Sequence, residues 1–159
     1  MNTECKAIAD QLRRALGGEA WHGPSLREIM SGISAGQAGK RPIAGAHSIW
    51  ELLLHIETWM AEPLATLTRG VPMRDLVGLA VEVDWPPVGA ETEDRWKAAQ
   101  ERAFSTGEKL ARAIEGFGDE RLGETVPGRD HAYYILLHGV VQHTLYHGGQ
   151  IALLKRALA

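Results

Sequence analysis

Near its C-terminal end the chain reads His143-Thr144-Leu145-Tyr146-His147, which sets two imidazoles four residues apart. In a helix that spacing brings side chains to about 40° and 6 Å of each other. Two rings so placed can converge on one ion. Leu136, Val140, Ile151, Leu154 and Leu158 share their stripe at steps of three and four, so the pair replaces apolar residues on a core-facing side. Each neutral imidazole carries a donor and an acceptor that burial obliges it to satisfy. A lone histidine on such a stripe reads as a hydrogen-bonded core residue. For two in succession a shared divalent ion is the better reading, with zinc or nickel as the ions suited to imidazole nitrogen at about 2.0–2.1 Å.

A third ligand has to come from another helix. His55 fits by position, because it adjoins the apolar stripe Leu52, Ile56 and Trp59. His47 falls at a helix start, where capping or surface exposure is expected. His138 precedes His143 by five residues and faces away. His22 and His131 fall in loops or caps. The pair lacks the glutamate of the H-E-x-x-H zinc proteases, which disfavours that mechanism. Three protein ligands leave a coordination position open, as catalytic zinc sites do. Beside the pair, Gln150 is placed to orient an imidazole. Tyr146 serves either that purpose or an interface. Gly148-Gly149 costs about 1 kcal/mol per glycine in a helix interior, which close packing or room for a ligand would explain. Trp21, Trp59 and Trp85 are candidates for a pocket mouth, with core filling the stronger reading for Trp59.

The elements that must position these residues are helical almost throughout. Ile8, Leu12, Ala15 and Leu16 mark a first helix stopped by Gly17-Gly18. Ser25 to Ile33 is a short helix with a Ser25/Glu28 capping box, and Gly36, Gly39, Pro42 and Gly45 then make an irregular stretch. A second long helix runs from His47-Ser48 to about Arg69, with Pro63 expected to kink it. The 70–91 connection is rich in Gly and Pro, and Val81 to Trp85 within it is extended at most. The third long helix spans about Thr92–Phe117, and the fourth runs from near Asp130 to Leu158. The expectation is an all-α four-helix bundle over residues 1–159, one domain, with a long crossover between the second and third long helices.

Composition excludes several partners. Seventeen Lys and Arg against twenty Asp and Glu give a formal charge of −3 without a basic run, so nucleic acid is not expected. No stretch approaches the roughly 20 apolar residues that cross a bilayer, and no signal peptide is visible. Cys5, the one cysteine, cannot form an internal disulfide. A cytoplasmic protein is expected.

Ser48-Ile49-Trp50-Glu51-Leu52-Leu53-Leu54-His55-Ile56-Glu57-Thr58-Trp59 and His143-Thr144-Leu145-Tyr146-His147-Gly148-Gly149-Gln150-Ile151 together resemble the DinB-like superfamily, including its YfiT-like members. The Trp21-His22-Gly23-Pro24-Ser25-Leu26 and Arg41-Pro42…His47 stretches are similar as well. The resemblance implies a four-helix bundle, a divalent ion on His55, His143 and His147, and a homodimer. It also implies, for some members, transfer reactions of low-molecular-weight thiols. The function expected is therefore a metal-dependent S-transferase, in which the ion deprotonates a small thiol that attacks an electrophilic small molecule. A hydrolase using water on the same ion is the variant. A non-enzymatic, stress-associated metal-binding dimer is the competing class, with the ion bracing the bundle.

Overall fold

A computed structural model describes residues 3–159. Four long helices form the frame: α1 (Thr3–Gly17), α4 (Ile49–Arg69), α6 (Glu93–Glu115) and α7 (Tyr133–Ala157). Three single-turn helices, α2 (Leu26–Met30), α3 (Ala35–Ala38) and α5 (Val81–Asp84), lie in the connections, with a 3-10 turn at Asp119–Arg121. The protein is an all-α bundle. α4 packs chiefly on α6, α1 on α6 and α7, and α7 closes the ring against α4. Among the described residues no helix is long and apolar enough to cross a membrane.

Local chemistry sets the ends of these helices. The Ser48 hydroxyl accepts from the Glu51 amide at 3.2 Å while the Glu51 carboxylate accepts from the Ser48 amide at 2.7 Å, so α4 starts on a capping box. It continues through Pro63 and stops at Gly70, whose φ of +66° is open to glycine at little cost. Thr92 caps α6 through the Arg95 amide. The Asp119 carboxylate caps α1 from a distance in sequence, accepting from the amides of Thr3, Glu4 and Cys5 at 2.7–3.1 Å. Those bonds hold it well below the usual carboxylate range. Cys5 beside it is buried, and burial together with the Asp119 carboxylate pushes its thiol up to about 11. It is no nucleophile at neutral pH.

The core is continuous from Ile8 and Leu12 of α1 through Leu53, Ile56 and Met60 of α4 to Trp96 and Leu110 of α6 and Val140 and Ile151 of α7. Gly107 of α6 is buried against α1 and α4. A Cβ there would collide with Leu16 and stand 3.3 Å from the Met60 sulfur.

Four boundaries differ from the sequence reading. Val81 to Asp84 is a helical turn, not an extended segment: it has no strand to pair with, and the bonds from Val83 N to Ala80 O and Trp85 N to Val81 O satisfy it locally. Ala35–Ala38 is a helical turn within the stretch expected to be irregular, started by a Ser34/Gln37 capping box. α2 ends at Met30, because Gly32 takes φ +76°. α7 begins at Tyr133, since Val126 N bonds His131 O and keeps residues 126–131 in a loop.

Candidate metal centre

α4 and α7 lie side by side, and each delivers histidine from mid-helix. His55 is 5% exposed and His147 7%, while His143 is half-buried. The ring centroids of the three stand 4.4–4.9 Å apart. Their facing nitrogens all fall within 4.8 Å, with the Nε2 atoms of His55 and His143 3.0 Å apart. The structure thus brings together the three histidines singled out in the sequence. The buried line of α7 actually passes through Thr144, whose hydroxyl donates to Val140 O at 2.9 Å. His143 stands one position aside, on the flank turned to α4.

The outward nitrogens of His55 and His147 are occupied. His55 Nδ1 donates to the Asp84 carbonyl at 2.9 Å, with the Asp84 carboxylate at 3.3 Å. His147 Nδ1 donates to Gln150 Oε1 at 2.7 Å. Both bonds put the proton on Nδ1 and leave Nε2 as a bare lone pair aimed inward. Burial lowers the pKa of all three rings, that of His143 down to about 3, with the charges of His147 and His55 adding to the effect there. At neutral pH they are neutral imidazoles, the form that ligates.

Two nitrogens bound to one zinc at about 2.0–2.1 Å sit roughly 2.9–3.4 Å apart for ordinary bond angles. The 3.0 Å separation of the His55 and His143 Nε2 atoms lies inside that span. An all-imidazole set suits zinc, nickel and their neighbours and does not suit calcium or magnesium, which take oxygen. The cluster is compatible with a metal ion.

The crossover covers one side of the cluster. Asp84 ends α5, and its carboxylate accepts from Trp59 Nε1 at 2.7 Å, which fixes the indole. Trp59 is partly buried, packs against the core as expected and flanks His143 at 5.3 Å between centroids, so it is at once core filling and a wall of the site. Trp85 lies flat on His55 (3.8 Å, 4°) and carries His47 on its other face (3.6 Å, 6°). His47 does not cap α4, which Ser48 does; it belongs to the surroundings of the site. Asp84, Trp85 and His47 went unnoticed as a group because nothing local in sequence joins positions 47, 55 and 84. Trp21 is fully exposed, and His138 turns away to bond Glu4 at 3.1 Å.

Two cavities flank the cluster along α7. On the C-terminal side a space of about 380 Å³ is bounded by His47, Trp85, Tyr146, His147, Gln150 and Leu153. Exposed Tyr146 stands at its edge. On the N-terminal side a space of about 230 Å³ lies against Trp59, Gly139 and His143. A Cβ on Gly148 or Gly149 would meet nothing within 4 Å, so close helix packing does not account for either glycine.

No curated protein and no solved structure gives a significant match to this chain. A model of the DinB superfamily matches residues 20–151, which include α4, the crossover and α7 as far as Ile151, and so all three histidines. The chain belongs to the DinB superfamily.

Proposed function

We propose that this protein is a metal-dependent enzyme of the thiol S-transferase type, acting on small electrophiles with zinc or nickel as its ion. The observation that carries this reading is the cluster of inward Nε2 lone pairs with a separate cavity on each side. A transfer reaction has two organic reactants, and two cavities give each its own approach. Hydrolysis needs only one besides water. When bound, the ion would lower the pKa of a thiol so that it is the thiolate at neutral pH.

The chain's own residues hold the arrangement. Asp84 and Gln150 fix the tautomers and ring planes of His55 and His147. Trp85 shields the His55 ring from water by stacking on it. His47, Tyr146 and Gln150 line the larger cavity, which suits a polar thiol. No protein nucleophile is required, which agrees with the buried, high-pKa Cys5. The proposal takes the protein as a cytoplasmic homodimer; Tyr134, Ile135, Leu145 and Leu153 leave α7 an exposed apolar face for a second copy, which sedimentation would test.

The experiment is a thiol-conjugation assay with protein loaded with zinc or nickel, using glutathione or cysteine and 1-chloro-2,4-dinitrobenzene. The reaction forms the S–C bond, expels chloride and releases the thiol proton to buffer. A rate well above that of His55→Ala is expected. Equal rates would refute the transferase. Ester cleavage without thiol would turn the reading to hydrolysis, and inactivity with a large loss of melting temperature in chelator would turn it to a structural ion.

A further inference from the structure

The smaller cavity differs in kind from the larger one. Trp59, Ile135, Leu136, Gly139, Val140 and His143 bound it, and its surface is almost wholly apolar. Trp59 adds no polar atom, because its one N–H is bonded to Asp84. A charged group entering there would lose hydration without finding a partner. An apolar cavity of roughly 150 Å³ accommodates benzene, so about 230 Å³ accommodates a substituted ring. Among the described residues its polar neighbours are His143, on the side of the cluster, and His131, whose Nδ1 faces the exposed Asp130 at 3.5 Å.

Gly139 gives a second, independent observation. It lies inside α7, where glycine is unfavourable relative to alanine. No packing reason for it exists, since a Cβ there would meet nothing within 4 Å. Its missing side chain leaves the cavity its width.

We infer that this cavity is a binding subsite for an uncharged aromatic or alicyclic ring, with Gly139 as the residue that sets its size. The ring is that of the electrophile, held against Trp59 with its substituent toward His143. That assignment to the electrophile rests on the transferase reading; the binding of a ring does not.

The test is a fluorine NMR titration with 4-fluorobenzyl alcohol, run on zinc-loaded and on chelated protein. Wild type binds in both states. Gly139→Leu fills the cavity and weakens binding about tenfold or more, the scale of hydrophobic-pocket discrimination, while zinc affinity by calorimetry stays unchanged. Gly139→Ala, which adds one methyl group into open space, keeps the fold and gives a smaller loss in the same direction. Leu153→Ala at the other cavity leaves the probe's affinity as it was. Anionic 4-fluorobenzoate binds more weakly than the alcohol. The inference is overturned if wild type does not bind the alcohol, if both Gly139 variants bind it as wild type does, or if the benzoate binds equally well. Because the chelated protein is titrated too, failure of zinc to bind would sink the metal reading and leave the subsite result standing.

Discussion

The α1–α6 contact and the α4–α7 contact use the same residue type for opposite ends. Between α1 and α6, Gly107 is there because something else fills its place: Leu16 and Met60 press where its side chain would be. Charges on that side are paired, Arg13 reaching Glu108 at 3.0 Å and Glu115 at 2.6 Å. On α7, Gly139 and Gly148 face open space, and the polar groups it turns toward α4 are neutral imidazoles directed at one another. At one contact the glycine makes way for a neighbouring side chain, and at the other it leaves space that nothing fills. Glycine within a helix thus marks close approach in the first case and reserved space in the second, and only its surroundings tell the two apart.

The largest separation of the two regions should come from deleting a ligand. His143→Ala is expected to cut zinc affinity by more than the 10–100-fold typical of losing an outer hydrogen-bond partner of a ligand, with the helical fold kept. Calorimetry with circular dichroism reads both, and unchanged affinity would end the metal assignment. Next comes Gly107→Leu, which overpacks the α1–α6 contact and should cost about 1–3 kcal/mol in urea unfolding. Zinc affinity per folded molecule should not change. If Gly107→Leu unfolded no more easily than wild type, the contrast drawn between the glycines would fail.

Acid should also divide the regions. His143 has a folded-state pKa lowered from 6.5 to about 3, so between those values the unfolded chain takes up a proton that the folded one refuses. Stability of metal-free protein therefore falls as pH drops from about 6.5. Asp119 is lowered from 3.8, and its contribution is present above that value and lost only at more acid pH. Thermal melts of chelated protein should show the decline beginning near 6.5, and His143→Leu should make it shallower, the similarly lowered His55 and His147 keeping the rest. An identical slope in that variant would assign the early decline to other groups.

What could be read from the sequence follows from how far each signal reaches along the chain. The Ser25, Ser48 and Thr92 helix starts were legible, because a cap is written within four residues. So was the His143–His147 pair, whose spacing is itself the geometry. The stripe misplaced the axis by one residue, putting His143 where Thr144 lies, since a face drawn at steps of three and four has a neighbour that fits nearly as well. His55 was legible only as a residue beside an apolar stripe; its convergence with α7 depends on which helices become neighbours. Asp84, Trp85 and His47 were not legible as a group, because the path of the 70–91 crossover over the bundle is a tertiary outcome. The cavities were not legible: Gly148 and Gly149 line neither, and Gly139, which bounds one of them, carried no mark in the sequence.

Gly148 offers the finest test of the contrast. It is buried beside His147, yet a Cβ there would touch nothing within 4 Å. If the glycine served packing, as Gly107 does, alanine would be strained. If it only leaves space, alanine removes the backbone-entropy cost of glycine in a helix and should stabilise the protein by roughly 0.5–1 kcal/mol. The Nε2 of His147 points away from the added methyl group toward His55 and His143, so zinc affinity should be retained. Urea unfolding of Gly148→Ala decides between the two, and a destabilised variant would place this glycine with Gly107 and remove it from the open side of the molecule.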